Sequence, residues 1–185
     1  TWDPRSLFII HGRGNAAAEF SRHWQPLLDE GWTLIVPQSS QVYDSESWCW
    51  DDAELARAEV RQHWEDCRRK RGMDLAGMIV AGASQGGVLA MEAANEAGVP
   101  WLSVIPSFPR GYDVSPLMAV PSHTVGAILL GENDPAAARA RTVISQLDAG
   151  GVRVIVKTMQ GAGHELPPDF CDFAAEALRG LLAYG

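Results

Sequence analysis

The sequence has no run of about twenty apolar residues, the length a membrane-spanning helix needs, and no signal-peptide pattern opens it. Cysteine is scarce. Cys49, Cys67 and Cys171 lie far apart, an odd count without a Cys-x-x-Cys pair. That spacing fits free or buried thiols in a reducing compartment better than a disulfide framework, so cytoplasm is the expected location. Basic residues are outnumbered, 15 Lys and Arg against 23 Asp and Glu, for a formal net charge of −8. An acidic chain gains nothing from general attraction to phosphate backbones or anionic lipid, which argues against nucleic acid as a partner. There is no internal repeat, low-complexity segment or dividing linker, and no His/Cys spacing that suggests a metal site. What remains is a chain of 185 residues, 46% hydrophobic, enough for one domain over 1–185 with a sizeable core.

Short, continuously apolar runs at 6–11, 32–36, 76–81, 101–105, 125–130 and 152–158 predict six strands. Between them, helical patterns cover 16–29, 51–71, 85–97 and 135–149, and a last helix begins at Pro167. Pro26 predicts a break in the first helix. The second opens on Asp51 and Asp52 and ends in Arg68-Arg69-Lys70-Arg71, with Gly72 after it. Those charges match the helix macrodipole, a cheaper explanation of the basic cluster than a nucleic-acid patch. Its expected buried stripe is Ala56, Val60, His63, Trp64 and Cys67. The proline-rich stretch 106–122 reads as an ordered irregular excursion with one helical turn. Strands that alternate with helices and are apolar throughout indicate a mostly parallel sheet covered on both faces.

The densest signal is Met78-Ile79-Val80-Ala81-Gly82-Ala83-Ser84-Gln85-Gly86-Gly87. A strand runs into Gly-x-Ser-x-Gly and a helix leaves it. A serine at such a turn has an exposed Oγ and a strained backbone, and the helix behind it presents free N–H groups to developing negative charge. In an open α/β sheet the ligand site lies beyond the carboxyl ends of the strands. His11-Gly12-Arg13-Gly14, Ser84, Asp134 and His164 follow strands one, three, five and six, so all four belong at that edge. A nucleophile, an acid and a base occur in the order Ser, Asp, His, the order of a triad on an α/β-hydrolase sheet. Plainer roles exist for each. Ser84 can cap the next helix, Asp134 can cap the helix after Pro135, and Glu132 is a rival carboxylate.

On these segments, together with Ser47-Trp48-Cys49-Trp50-Asp51, Gly131-Glu132-Asn133-Asp134-Pro135 and Gly163-His164-Glu165, the chain resembles the α/β-hydrolase superfamily. More narrowly it resembles the phospholipase/carboxylesterase family of small carboxylesterases and acyl-protein thioesterases. The resemblance implies a single-domain α/β-hydrolase fold of about six strands without a separate cap domain. It implies a serine hydrolase of small carboxylic esters or thioesters acting through an acyl-enzyme. Ser84 would be the nucleophile, His164 the base and Asp134 its orienting acid. The backbone N–H groups of Arg13 and Gln85 would form the oxyanion hole, and Trp48 would line the substrate pocket. His11 would brace the oxyanion loop, and Arg13 or Arg110 would meet a substrate carboxylate. The resemblance implies no metal and no organic cofactor. His23, His63 and His123 read as structural.

The departures are specific. Family members carry one or two further strands before the His-Gly segment, where this sequence has only Thr1–Arg5. Such strands would extend the sheet beside the second strand, away from Ser84. Ala83 stands where a bulkier residue is common. A lactone, amide or short-peptide hydrolase with the same triad, and a non-catalytic scaffold, stay open, as does a homodimer.

Overall fold

The computed structural model describes residues 5–71, 77–118 and 125–184. Among them are six strands, β1 (Ser6–Ile10), β2 (Thr33–Ile35), β3 (Met78–Ala83), β4 (Trp101–Val104), β5 (Val125–Gly131) and β6 (Arg153–Met159). All pair in parallel, in the order β2-β1-β3-β4-β5-β6. The helices are α1 (Ala17–Phe20), α2 (Pro26–Asp29), α3 (Ala53–Arg71), α4 (Gln85–Ala97), α5 (Ser115–Met118), α6 (Ala137–Ala149) and α7 (Phe170–Leu182).

The strands are apolar throughout because both faces of the sheet are covered. On β1, Phe8 and Ile10 belong to the core on the α3 and α4 side of the sheet, while Leu7 and Ile9 belong to the one with Phe20, Trp24 and Leu27 on the α7 side. The same alternation runs through β3 and β5. Burying one such side chain fully is worth about 1.5–3 kcal/mol, so both faces of the sheet contribute to its stability. The two edge strands differ from the centre. β2 and β6 are only partly buried, and β6 carries Arg153 and Lys157, the latter paired with Glu176. Charges on an edge discourage unwanted strand pairing.

Several expectations shift by a few residues for identifiable reasons. The broken first helix resolves into α1, a 3-10 turn over Ser21–Trp24 and α2, with Pro26 at the start of α2. α3 begins at Ala53, not Asp51. Asp52 caps it, its Oδ1 accepting from the N–H groups of Glu54 at 3.1 Å and Leu55 at 3.0 Å, and Asp51 stays outside the helix. The expected stripe of α3 is buried except at His63, which is half-buried with Nε2 3.2 Å from the Gln38 carbonyl. Arg68, Arg69 and Lys70 pair with Glu65 and Asp66 of their own helix. α4 matches its expected bounds and ends on Gly98 at φ 69°. α7 starts at Phe170 because the Pro167-Pro168 stretch forms a turn before it, closed by the Phe170 N–H on the Pro167 carbonyl at 2.9 Å. Gly72 and His123 lie outside the described residues. Among the described residues, no helix is long and apolar enough to cross a membrane.

Candidate active site

The turn after β3 depends on glycines that let three backbones meet. A Cβ on Gly86 would overlap the carbonyl oxygens of Ile10 and His11, and one on Gly82 would overlap the Gly86 carbonyl. α4 can therefore start directly against the end of β1, and Ser84 is left at the tip of the turn with φ 54° and ψ −117°. Its backbone is pinned from β4 and beyond. The Ser84 N–H donates to Val104 at 3.0 Å, and its carbonyl accepts from Ser107 at 3.2 Å. A left-handed φ on a non-glycine residue costs of order 1–3 kcal/mol. The Ser84 hydroxyl makes no bond to the start of α4, so it does not act as the helix cap that the sequence also allowed. It points instead at His164, with Oγ 2.9 Å from Nε2.

The other side of the imidazole meets Asp134, with Nδ1 2.8 Å from Oδ2. The Asp134 side chain is 2% exposed against 37% for His164. Its Oδ1 accepts from the Ala136 N–H at 2.7 Å, so one carboxylate both shapes the turn into α6 and orients the histidine. Because the carboxylate only accepts, Nδ1 carries the ring proton of neutral His164 and Nε2 is free to accept from Ser84. Glu132, the rival acid, is exposed and holds the His164 loop from behind, its Oε2 accepting from Gly161 at 2.8 Å. The Asn133 N–H donates to Ala162 at 2.8 Å, tying the Asp134 loop to the His164 loop.

The loop after β1 closes against Ser84. A Cβ on Gly12 would stand 3.3 Å from Ser84 Cβ, so the peptide leading into Arg13 passes beside the serine. His11 is fully buried and braces this loop as expected. Its Nδ1 lies 2.8 Å from the Gly12 carbonyl, and its Nε2 accepts from the Ser39 N–H at 3.3 Å. That pattern fits the neutral ring, and burial pushes its pKa below the usual histidine value, against a smaller opposing pull from the Gly12 carbonyl. Gln85, the first residue of α4, has an N–H without an intrahelical acceptor.

One carboxylate holds both of these elements. Asp51 accepts from Gln85 Nε2 on Oδ1 at 2.7 Å and from the Arg13 guanidinium on Oδ2 at 2.8 Å. The Gln85 amide above all holds the Asp51 carboxyl below its ordinary pKa, against an opposing desolvation effect and with smaller help from the Arg13 charge. The Arg13 guanidinium, 4.9 Å from the centre of the Tyr43 ring, is thus already partnered. Trp50 completes the lacing, its indole N–H on the His11 carbonyl at 2.9 Å and its backbone N–H on Gln85 Oε1 at 3.1 Å. Trp48 is half-buried, and its backbone bonds to Gly14 and Asn15 at 2.8 and 3.1 Å. No described contact ties its ring to Ser84. Arg110 and His23 are exposed.

Two residues of this site were not singled out from the sequence. Asp51 looked like the acidic opening of a helix, although it closes the Trp48–Asp51 segment on which the resemblance rested. Ser107 offered no signal, being one serine in a proline-rich stretch. Its Oγ lies 3.2 Å from Ser84 Oγ and 3.3 Å from His164 Nε2. Among the described residues no group of His, Cys, Asp or Glu is arranged to hold a metal ion.

No protein-family model matches the sequence, and neither does any curated protein. Solved structures do match. An uncharacterised protein from Bacillus cereus superposes with a TM-score of 0.87 at 22% identity, over 100% of this chain and 62% of that one. The chain therefore spans under two thirds of the length of that neighbour. Esterase PE8 matches with a TM-score of 0.81 at 19% identity, over 96% of this chain and 93% of its own. A carboxylesterase from Mesorhizobium loti matches at 0.78 and 15%, over 97% and 90%. The likeness establishes the α/β-hydrolase fold.

Proposed function

We propose that the chain is a serine hydrolase that cleaves small carboxylic esters or thioesters through an acyl-enzyme on Ser84. One observation carries the proposal: Ser84 Oγ, His164 Nε2, His164 Nδ1 and Asp134 Oδ2 form a hydrogen-bonded chain with links of 2.9 and 2.8 Å. Ser84 attacks the acyl carbon while His164 Nε2 takes its proton. Asp134 keeps Nδ1–H in place and stabilises the imidazolium. The developing oxyanion faces the N–H groups of Gln85 and Arg13, each worth about 2.7–4 kcal/mol in comparable sites. His164 returns the proton to the leaving alcohol or thiol, and water then releases the acid by the same steps in reverse roles. The names of esterase PE8 and the Mesorhizobium loti carboxylesterase support esters ahead of lactones, amides or short peptides, which the same groups can also cleave.

Trp48 is proposed to line the acyl or alcohol side, since its segment is bonded to the loop beside Ser84. Three cysteines that form no disulfide support a reducing, cytoplasmic setting. The test is turnover of p-nitrophenyl acetate and butyrate. Ser84→Ala is expected to abolish it with the melting transition nearly unchanged, and retained turnover would remove Ser84 from the reaction.

A further inference from the structure

Ser107 is placed with more care than a loop serine needs. β4 ends at Val104, and the next residue, Ile105, sits at φ 42°. A β-branched side chain in that region is a true outlier. It is held there by its N–H on the Leu129 carbonyl at 2.7 Å. Pro106 follows, and Phe108 beyond it is buried, with its carbonyl taken by the Arg139 guanidinium at 2.6 Å. Between these anchors, the Ser107 N–H donates to the Ser84 carbonyl. The result is a triangle of Ser84 Oγ, Ser107 Oγ and His164 Nε2 with sides of 2.9, 3.2 and 3.3 Å. A site that needs only a nucleophile, a base and an acid has no use for the third corner during acylation.

It has one afterwards. Once Ser84 Oγ is esterified it has no proton to give His164, and Nε2 loses its partner. We propose that Ser107 is a catalytic residue of deacylation, resting on the reading of Ser84 as nucleophile. Its hydroxyl donates to the incoming water while the water donates to His164 Nε2. The water oxygen bonds to the acyl carbon as its proton passes to Nε2. The tetrahedral intermediate then breaks its bond to Ser84 Oγ, which recovers the proton from Nε2, and the carboxylic acid leaves. In the resting enzyme the same hydroxyl donates to Ser84 Oγ, whose own proton goes to His164.

The experiment is stopped-flow release of p-nitrophenol from p-nitrophenyl acetate, with mass mapping of acylated peptides, in wild type, Ser107→Ala and Ser107→Thr. Deacylation in Ser107→Ala is expected to slow about tenfold, the loss of the one hydrogen bond that holds the attacking water, with acylation within about twofold of wild type. A burst larger than in wild type then precedes a slow steady rate, acetyl-Ser84 accumulates, and Ser107→Thr restores wild-type behaviour. Equal slowing of both steps, an unchanged burst, or acetyl found on Ser107 would overturn the assignment. Should Ser107→Ala not fold, Ser107→Gly and Ser107→Cys repeat the measurement. Failure of all three to fold would give Ser107 a structural role and overturn it as well. If Ser84→Ala turns over as fast as wild type, the nucleophile reading falls too. An active wild type whose Ser107→Ala counterpart keeps the same burst overturns the deacylation role alone.

Discussion

The side-chain amide of Gln85 donates to the carboxylate of Asp51 at 2.7 Å. Asp51 stands just ahead of α3 and Gln85 opens α4, so this bond joins the start of the helix behind Ser84 to a loop far from it in sequence. The same carboxylate reaches Arg13 at 2.8 Å. The two residues proposed to supply oxyanion N–H groups are therefore held by one acceptor, which acts through their side chains.

Asp51→Ala frees both residues at once. Misplacing a reacting or stabilising group by about 1 Å can cost 10²-fold, and a partial loosening is expected to lower kcat about tenfold with a smaller change in KM. The Asp51 side chain is 45% exposed, so the effect on stability is small. Steady-state kinetics beside a melting curve check this. An unchanged kcat would separate the clamp from the chemistry.

Gly86→Ala tests the close approach on which the turn is built. The added methyl meets two backbone carbonyls, those of Ile10 and His11, and neither can rotate away. Overpacking against a fixed backbone costs about 3 kcal/mol at the upper end of its usual range. The variant is expected to melt well below wild type or to accumulate poorly. A melting temperature within a degree or so of wild type would mean that α4 can slide away from β1 at little cost.

The strands were legible because a parallel sheet buried on both faces leaves continuous apolar runs, as in Leu7-Phe8-Ile9-Ile10 and Val125 to Leu130. The edge of the sheet where the polar groups meet followed from strand order. Ser84, Asp134 and His164 were legible because each follows a recognisable strand inside a glycine-marked turn. Ser107 and Asp51 were not. Nothing local distinguishes a serine aimed at an imidazole from one in solvent, and an acidic residue before a helix reads first as a helix opener. Their roles come from tertiary contacts, to His164 across 57 positions and to Gln85 across 34. Helix starts at Asp51 and Pro167 were misplaced because capping turns share the composition of the first helical turn.

His11 gives stability a pH dependence. In the fold its pKa lies below the unfolded value, chiefly because it is buried. Above about pH 6.5 both states are neutral there and the residue contributes no slope. As pH falls below that value the unfolded chain takes up a proton that the native chain refuses, so stability drops, by at most about 1.4 kcal/mol per pH unit for one group. The loss stops once pH passes the lowered native value. Urea unfolding at pH 7 and pH 5 is expected to show a smaller difference in His11→Gln than in wild type. Equal differences would mean that other groups set the acid sensitivity.

The proposed chemistry requires Ser84 to be an activated nucleophile rather than only a strained turn residue. Its most direct test is labelling of the folded protein with a fluorophosphonate probe, followed by peptide mapping. The prediction is one probe per chain, on Ser84, lost in Ser84→Ala and strongly slowed in His164→Ala, because the hydroxyl then has no base within 2.9 Å. Folded wild-type protein that takes up no probe, or takes it up elsewhere, would contradict the account and leave an α/β-hydrolase scaffold without the chemistry.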